Sequence, residues 1–235
     1  MSVPPIDYDR AWETVYGDLQ DIGPTHRHMW RIMRRLLSPL HYESVLEVGV
    51  GYGHNLPLLA DGRQLERLAG VDVSERALDH VRRRWPGSFR HLDIVSEHLP
   101  EQFDLVCCAL VMEHLHDDRA ALGSLRAMTS RYLLLTTIGG DFDRYRPWER
   151  QVGHVRNYRR KELEAKLHEA GFELERAVYW GFPFFSPLAR TLQNRMTATS
   201  QLPARARLIA RLLYLVYFLN SSRRGDLMVL LARPT

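Results

Sequence analysis

The most constraining stretch of this chain is a short glycine-rich turn, Glu47-Val48-Gly49-Val50-Gly51-Tyr52-Gly53, at the end of the apolar run Val45 to Val50. A turn between a strand and a helix needs residues without a Cβ where backbone must approach a ligand closely. In an open α/β sheet such a turn lies in the crevice outside the carboxyl ends of the strands. A dinucleotide fingerprint read from Gly49 would require glycine at position 54, where His54 stands, so a nicotinamide dinucleotide is disfavoured. Asp72 closes the next apolar run, about twenty residues beyond the turn, where a carboxylate can accept hydrogen bonds from two ribose hydroxyls. It could instead cap the following helix, a task open equally to Ser74.

From Ser44 onward the pattern alternates strand and helix. The run Val45 to Val50, a helical stretch to Leu68, the run Ala69 to Val73 and a helix around Ala77 to Arg84 give βαβα order. Short strands follow at Phe89 to Ile94, Phe103 to Val111 and Tyr132 to Ile138. Near-continuous apolar strands suit a sheet covered on both faces, so the expected class is α/β with a doubly wound, mostly parallel sheet. Residues 139–160 are polar and rich in Gly, Arg and aromatics, and read as a long active-site loop. Lys161 to Ala170 reads as a helix stopped by Gly171, with further strands at Phe172 to Trp180 and Leu227 to Arg233.

One domain is expected over residues 1–235, because 235 residues with 45% apolar content can bury a single large core. Within it, residues 1–40 form an N-terminal helical cap in which Trp30, Ile32, Met33, Leu36 and Leu37 share helical spacing. Residues 41–180 form the cofactor-binding core, 181–225 a helical insertion broken by Pro183, Pro187 and Pro203, and 226–235 the last strand. The formal charge is only +4, and of the 32 basic residues all but Lys161 and Lys166 are arginine, so no dedicated nucleic-acid surface is expected. Cys107 and Cys108 are adjacent and would point to opposite faces of a strand, which argues against a disulfide. No signal-peptide core or apolar run of roughly 18 residues appears, so the expected location is cytoplasmic.

These motifs resemble the class I, seven-stranded Rossmann-like methyltransferases, whose first motif has the form E/D-x-G-x-G-x-G. The resemblance covers roughly residues 40–180. It continues with Gly70-Val71-Asp72-Val73-Ser74, His91-Leu92-Asp93-Ile94, Phe103-Asp104-Leu105-Val106 leading to Glu113-His114-Leu115, Gly153-His154-Val155-Arg156-Asn157-Tyr158, and Ala170-Gly171-Phe172. It implies a seven-stranded sheet whose last strand is antiparallel, and S-adenosylmethionine as cofactor. It further implies that Gly49, Gly51 and Gly53 line the methionine part, Asp72 holds the ribose, Asp93 and Ile94 border the adenine, and Leu110 lies under the sulfonium. Glu47 and Val73 complete the implied cofactor set.

Methyl transfer from a sulfonium is an in-line displacement that needs alignment and exclusion of water rather than a covalent catalyst. A hydroxyl acceptor must also lose a proton, which favours a histidine base, and His154 and His114 are the candidates, His154 first. Around His154, Arg144, Tyr145, Trp148, Arg156 and Tyr158 could orient an anionic or aromatic acceptor. Trp180, Phe182 and Phe184 form an aromatic cluster suited to an acceptor lid or to plain core. Glu113, His114, His116, Asp117 and Asp118 lack the H-E-x-x-H spacing and read as a solvated helix start, so no metal is assigned. The helix Ala206 to Leu219 is apolar around much of its circumference and needs a partner: its own core, a second subunit giving a homodimer, or a membrane surface. The leading expectation is O-methylation of a small molecule such as a sugar, polyketide or other secondary metabolite. Its rivals are a lipid or quinone methyltransferase at a membrane surface and a noncatalytic cofactor-binding scaffold.

Overall fold

The computed structural model describes residues 7–201 and 203–235, and at positions 18 and 19 the backbone alone. Seven strands, β1 Ser44–Val48, β2 Arg67–Asp72, β3 Ser88–His91, β4 Phe103–Ala109, β5 Thr129–Ile138, β6 Phe172–Trp180 and β7 Leu227–Pro234, form one sheet in the order β3-β2-β1-β4-β5-β7-β6. β7 runs antiparallel to both β5 and β6, and the other neighbours pair in parallel. The expected α/β sheet with a reversed last strand is therefore present.

Side chains on a strand alternate between faces, and both faces here are covered. Val45, Leu105, Cys107, Leu134 and Val229 pack with Met29, Met33 and Leu37 of the helix Pro24–Leu37 and with Leu78 and Val81 of the helix Glu75–Arg82. Leu46, Val106, Cys108, Leu133 and Leu230 pack on the other side with Leu122 and Leu125 of Asp118–Met128 and Leu163 and Leu167 of Arg160–Glu169. Cys107 and Cys108 thus belong to opposite cores, and both thiols are free and buried.

Several expected boundaries move, each for a local reason. The helix after the glycine turn spans only Leu56–Leu59, and a turn at Gly62, in left-handed backbone, brings β2 in as early as Arg67. β3 ends at His91 because Asp93 Oδ1 accepts from the Val95 N–H at 2.9 Å and bends the chain ahead of Ile94. β4 ends at Ala109 because Leu110 takes a positive φ of 56°, its N–H still held by the Thr136 carbonyl at 2.9 Å. The stretch 139–160, expected as loop, contains the helix Phe142–Gln151, whose amides at 143 and 144 are capped by the Asp141 carboxylate. Its buried face consists of Tyr145 and Glu149 rather than an aliphatic stripe, so helical periodicity was invisible.

The insertion comprises Phe184–Ala189, Arg190–Gln193, Ala204–Val216 and a final turn Tyr217–Leu219. Arg190, only 3% exposed, fastens it to the sheet: its guanidinium pairs with Glu149 and with Asp226 at 2.6 Å, donates to the Gly139 carbonyl at 2.7 Å and lies 3.9 Å from the Tyr145 ring centre. Removing one member of a buried ionic cluster leaves uncompensated charge and costs about 3–5 kcal/mol. Arg190→Met should therefore lower the thermal midpoint, followed by circular dichroism, by about 10 °C. A shift under ~2 °C would mean that both carboxylates find other partners.

Candidate active site

β1 delivers the glycine turn to the carboxyl edge of the sheet. Gly49, Gly51 and Gly53 all have positive φ, at 69°, 51° and 79°. Two of them also lack room for a side chain: a Cβ on Gly49 would lie 2.3 Å from Val111 Cγ2, and one on Gly51 would lie 2.2 Å from the Trp12 ring. Asp72 fixes the turn from the end of β2, Oδ2 accepting from the Gly51 N–H at 2.8 Å and Oδ1 from the Ser74 N–H at 2.9 Å. Burial raises its carboxyl pKa against the pull of these amides. Ser74, not Asp72, caps the helix Glu75–Arg82, its Oγ accepting from the Ala77 N–H at 3.1 Å.

Beneath the turn, Glu47 is fully buried. Oε1 accepts from Asn55 Nδ2 at 2.7 Å, Asn55 Oδ1 accepts from Trp30 Nε1 at 2.7 Å, and Oε2 has no hydrogen-bond partner among the described residues. Burial, opposed by the Asn55 bond and reinforced by the Asp72 charge, pushes its pKa up to about 8.

A cavity of about 1400 Å³ opens from this turn. Of the residues expected at a cofactor, Gly49, Asp72, Val73, Asp93, Ile94 and Leu110 line it. Glu47, Gly51 and Gly53 do not: Glu47 reaches the wall through Asn55, Gly51 lies under Trp12, and Gly53 packs against Leu56 and Val81. The N-terminal segment roofs the cavity. Trp12 stacks on Tyr52 at 4.5 Å, and Asp9 Oδ1 accepts from Ser74 Oγ at 2.5 Å. Tyr8 and Tyr16 meet His114 edge-on at 6.0 and 6.4 Å.

The far end of the same cavity is polar. His114 Nδ1 faces the Gly153 carbonyl at 3.1 Å, His154 Nδ1 is bonded to the Glu149 carboxylate, and the two imidazoles meet edge-on at 4.7 Å. His154 Nε2 lies 4.0 Å from Glu113 Oε1, a buried atom without a hydrogen-bond partner among the described residues, while Glu113 Oε2 accepts from Thr137 at 2.8 Å. Burial and the neighbouring His154 lower His114 to about 3, so its ring is neutral at ordinary pH. Burial raises Glu113, whereas the hydrogen bond and charge of His154, with the charge of Arg190, hold Glu149 below the usual carboxylate range despite burial. Ligand-type atoms of Glu113, His114 and His154 all fall within 4.8 Å of one another.

Glu113 is thus no part of a solvated helix start. Asp117 does cap the next helix, accepting from the Ala120 N–H at 3.0 Å, but Asp118 is buried against Lys166, Arg156 and the Tyr158 hydroxyl. Among the residues expected to orient an acceptor, Trp148 and Phe184 line the main cavity. The others are not brought there. Arg144, Tyr145, Tyr158 and Phe182 instead border a second cavity of about 470 Å³. Arg156 is spent on Asp118 and on the His116 carbonyl, and Trp180 is core, stacked on His28 at 4.9 Å. Sequence reasoning missed Glu149, Arg190, Asn55 and the roof residues Tyr8, Trp12 and Tyr16. None of these stood in a recognised motif, whereas Glu113, beside His114, did.

A family model described as a methyltransferase domain matches residues 21–177, two thirds of the chain. The chain belongs to this methyltransferase family. No curated protein matches its sequence significantly. Among solved structures the methyltransferase is similar to a putative methyltransferase from Haloferax volcanii in complex with the Trm112 activator (TM-score 0.64, 16% identity, covering 99% of each chain). It is also similar to an S-adenosylmethionine-dependent methyltransferase from Mesorhizobium loti (0.60, 17%, 90% of this chain and 100% of that one). Magnesium protoporphyrin IX methyltransferase from Synechocystis with bound SAH gives 0.57 and 16%, over 89% and 84%. The class I, S-adenosylmethionine-dependent enzyme anticipated from the glycine turn is therefore the one found, and its acceptor is a separate question.

Glu47 gives this site a pH signature. A carboxyl whose folded pKa is raised stabilises the fold below its unfolded pKa, near 4.5, and that contribution is lost as pH rises through about 8. The melting temperature of Glu47→Gln minus that of the wild type should therefore increase as pH rises across this window. A difference independent of pH would show that Glu47 ionises normally.

Proposed function

We propose that this methyltransferase transfers the methyl group of S-adenosylmethionine to an oxygen of a small-molecule acceptor such as a sugar, polyketide or other secondary metabolite. The observation that carries the reading is a single cavity joining the Asp72-anchored glycine turn to the His114–His154 pair. S-adenosylmethionine, when bound, supplies an electrophilic methyl on a positively charged sulfur.

The chain's residues do the rest. Asp72 spends one lone pair of each oxygen on backbone amides and has others for two ribose hydroxyls. Of the three glycines Gly49 opens its backbone to the methionine moiety, while Asp93 and Ile94 would border the adenine and Leu110 would lie under the sulfur. Tyr8, Trp12 and Tyr16 exclude water, which strengthens every polar contact beneath them.

His154 is the base. Glu149 accepts its Nδ1–H and so leaves Nε2 free to take the acceptor proton, the arrangement in which a carboxylate orients a histidine. His114, whose Nδ1–H donates to Gly153, presents its own Nε2 on the same wall, and Trp148 and Phe184 flank the acceptor.

Calorimetry tests the donor: S-adenosylmethionine and its demethylated product should bind in the micromolar range, NAD should not, and Asp72→Asn should weaken binding at least about tenfold. Absence of binding by either sulfur compound would reject the reading. His154→Ala should lower turnover about 100-fold or more with donor affinity unchanged. An unaffected rate would remove His154 from the chemistry, and a wild-type rate abolished by a chelator would hand Glu113, His114 and His154 to a cation instead.

A further inference from the structure

Of the eleven large apolar side chains exposed among the described residues, ten lie between Leu188 and Leu219. The helix Ala204–Val216 fully buries only Ala210, while Leu208, Leu212 and Leu215 project a stripe at helical spacing, 59%, 57% and 64% exposed. A soluble surface scatters such residues singly; a contiguous patch marks a contact site.

Charge says which contact. Residues 181–225 contain seven arginines and neither lysine, aspartate nor glutamate. Outside them 25 basic residues face 28 acidic ones, so the chain's +4 arises wholly from the insertion and the remainder carries −3. Arg205 and Arg211 are exposed on the same helix, and Arg31 lies 4.7 Å from the half-exposed Phe218 ring. Apolar side chains rimmed by arginine and lacking carboxylates complement an anionic lipid surface. The patch is also continuous with the acceptor end of the cavity, because Leu188, Leu192, Met196, Ile209 and Val216 are exposed and line it as well. No helix among the described residues is long and apolar enough to cross a membrane, so the contact is interfacial.

We propose that the insertion docks this methyltransferase on an anionic bilayer, and that its acceptor is an amphiphile whose polar head reaches the histidines while its apolar chain lies along the insertion. The acceptor half rests on the methyl-transfer reading above; the docking half does not.

Flotation with phosphatidylcholine vesicles, with and without phosphatidylglycerol, tests the docking. The protein should float with the anionic vesicles. Arg205→Gln with Arg211→Gln should weaken partitioning about 25-fold, roughly fivefold per charge, and Leu212→Glu with Leu215→Glu should abolish it. Both variants alter exposed side chains off the cavity wall and should keep the wild-type melting temperature and S-adenosylmethionine affinity. Protein that stays in solution, or flotation indifferent to both variants, would overturn the docking. So would sedimentation showing a dimer that the Leu212/Leu215 variant splits and that ignores vesicles, since a second copy would then cover the patch. Oleate probes the cavity: calorimetric binding abolished by Ile209→Glu supports an amphiphilic acceptor, and no binding rejects it. If flotation holds while S-adenosylmethionine fails to bind, the methyl-transfer reading falls and the docking stands.

Discussion

Much of the donor end depends on one carboxylate. Asp72 joins the turn after β1 to the start of the helix after β2 by accepting from the Gly51 and Ser74 amides, so two neighbouring strands are locked at the edge where ligands enter. Each partner then carries a further contact. Gly51, held in left-handed backbone, offers a flat surface to Trp12, and Ser74 passes its hydroxyl to Asp9. The roof is thereby indexed to the same acid expected to meet the ribose. Burial raises the cost of ionising Asp72 and the aimed amides only oppose it, but they orient the side chain before anything binds.

At the opposite end the organising group is Arg190. It neutralises Glu149, and Glu149 in turn fixes the tautomer and direction of His154. The residue sits in the insertion, whereas its partners come from the helix Phe142–Gln151 and the approach to β7. The insertion is therefore both a cover for the cavity and part of the electrostatic support of its polar wall.

The alternation of strands and helices, the reversed last strand and the glycine turn were legible because each leaves a local trace: apolar runs, helical spacing, and glycine where φ is positive. So were Gly49, Asp72, Asp93 and Leu110 on the cavity wall, which sit at strand ends fixed by the βα order. The polar wall was legible only in part. His114 and His154 could be picked out, yet Glu149 reaches His154 through a helix that looked like loop, and Arg190 reaches Glu149 across 41 residues. Arg156 and Tyr158 misled for a related reason: a polar segment near a cleft invites a ligand-binding reading, and sequence does not reveal that Asp118 lies buried beneath it.

Leu110 carries a consequence of its own. A leucine in left-handed backbone is disfavoured by about 1–2 kcal/mol against the same residue in a strand, and glycine would adopt that conformation without penalty. The chain nevertheless keeps a branched, apolar side chain at the turn where β4 enters the cavity. Local stability has been traded there for shape, in a shelf that only a bulky residue can make.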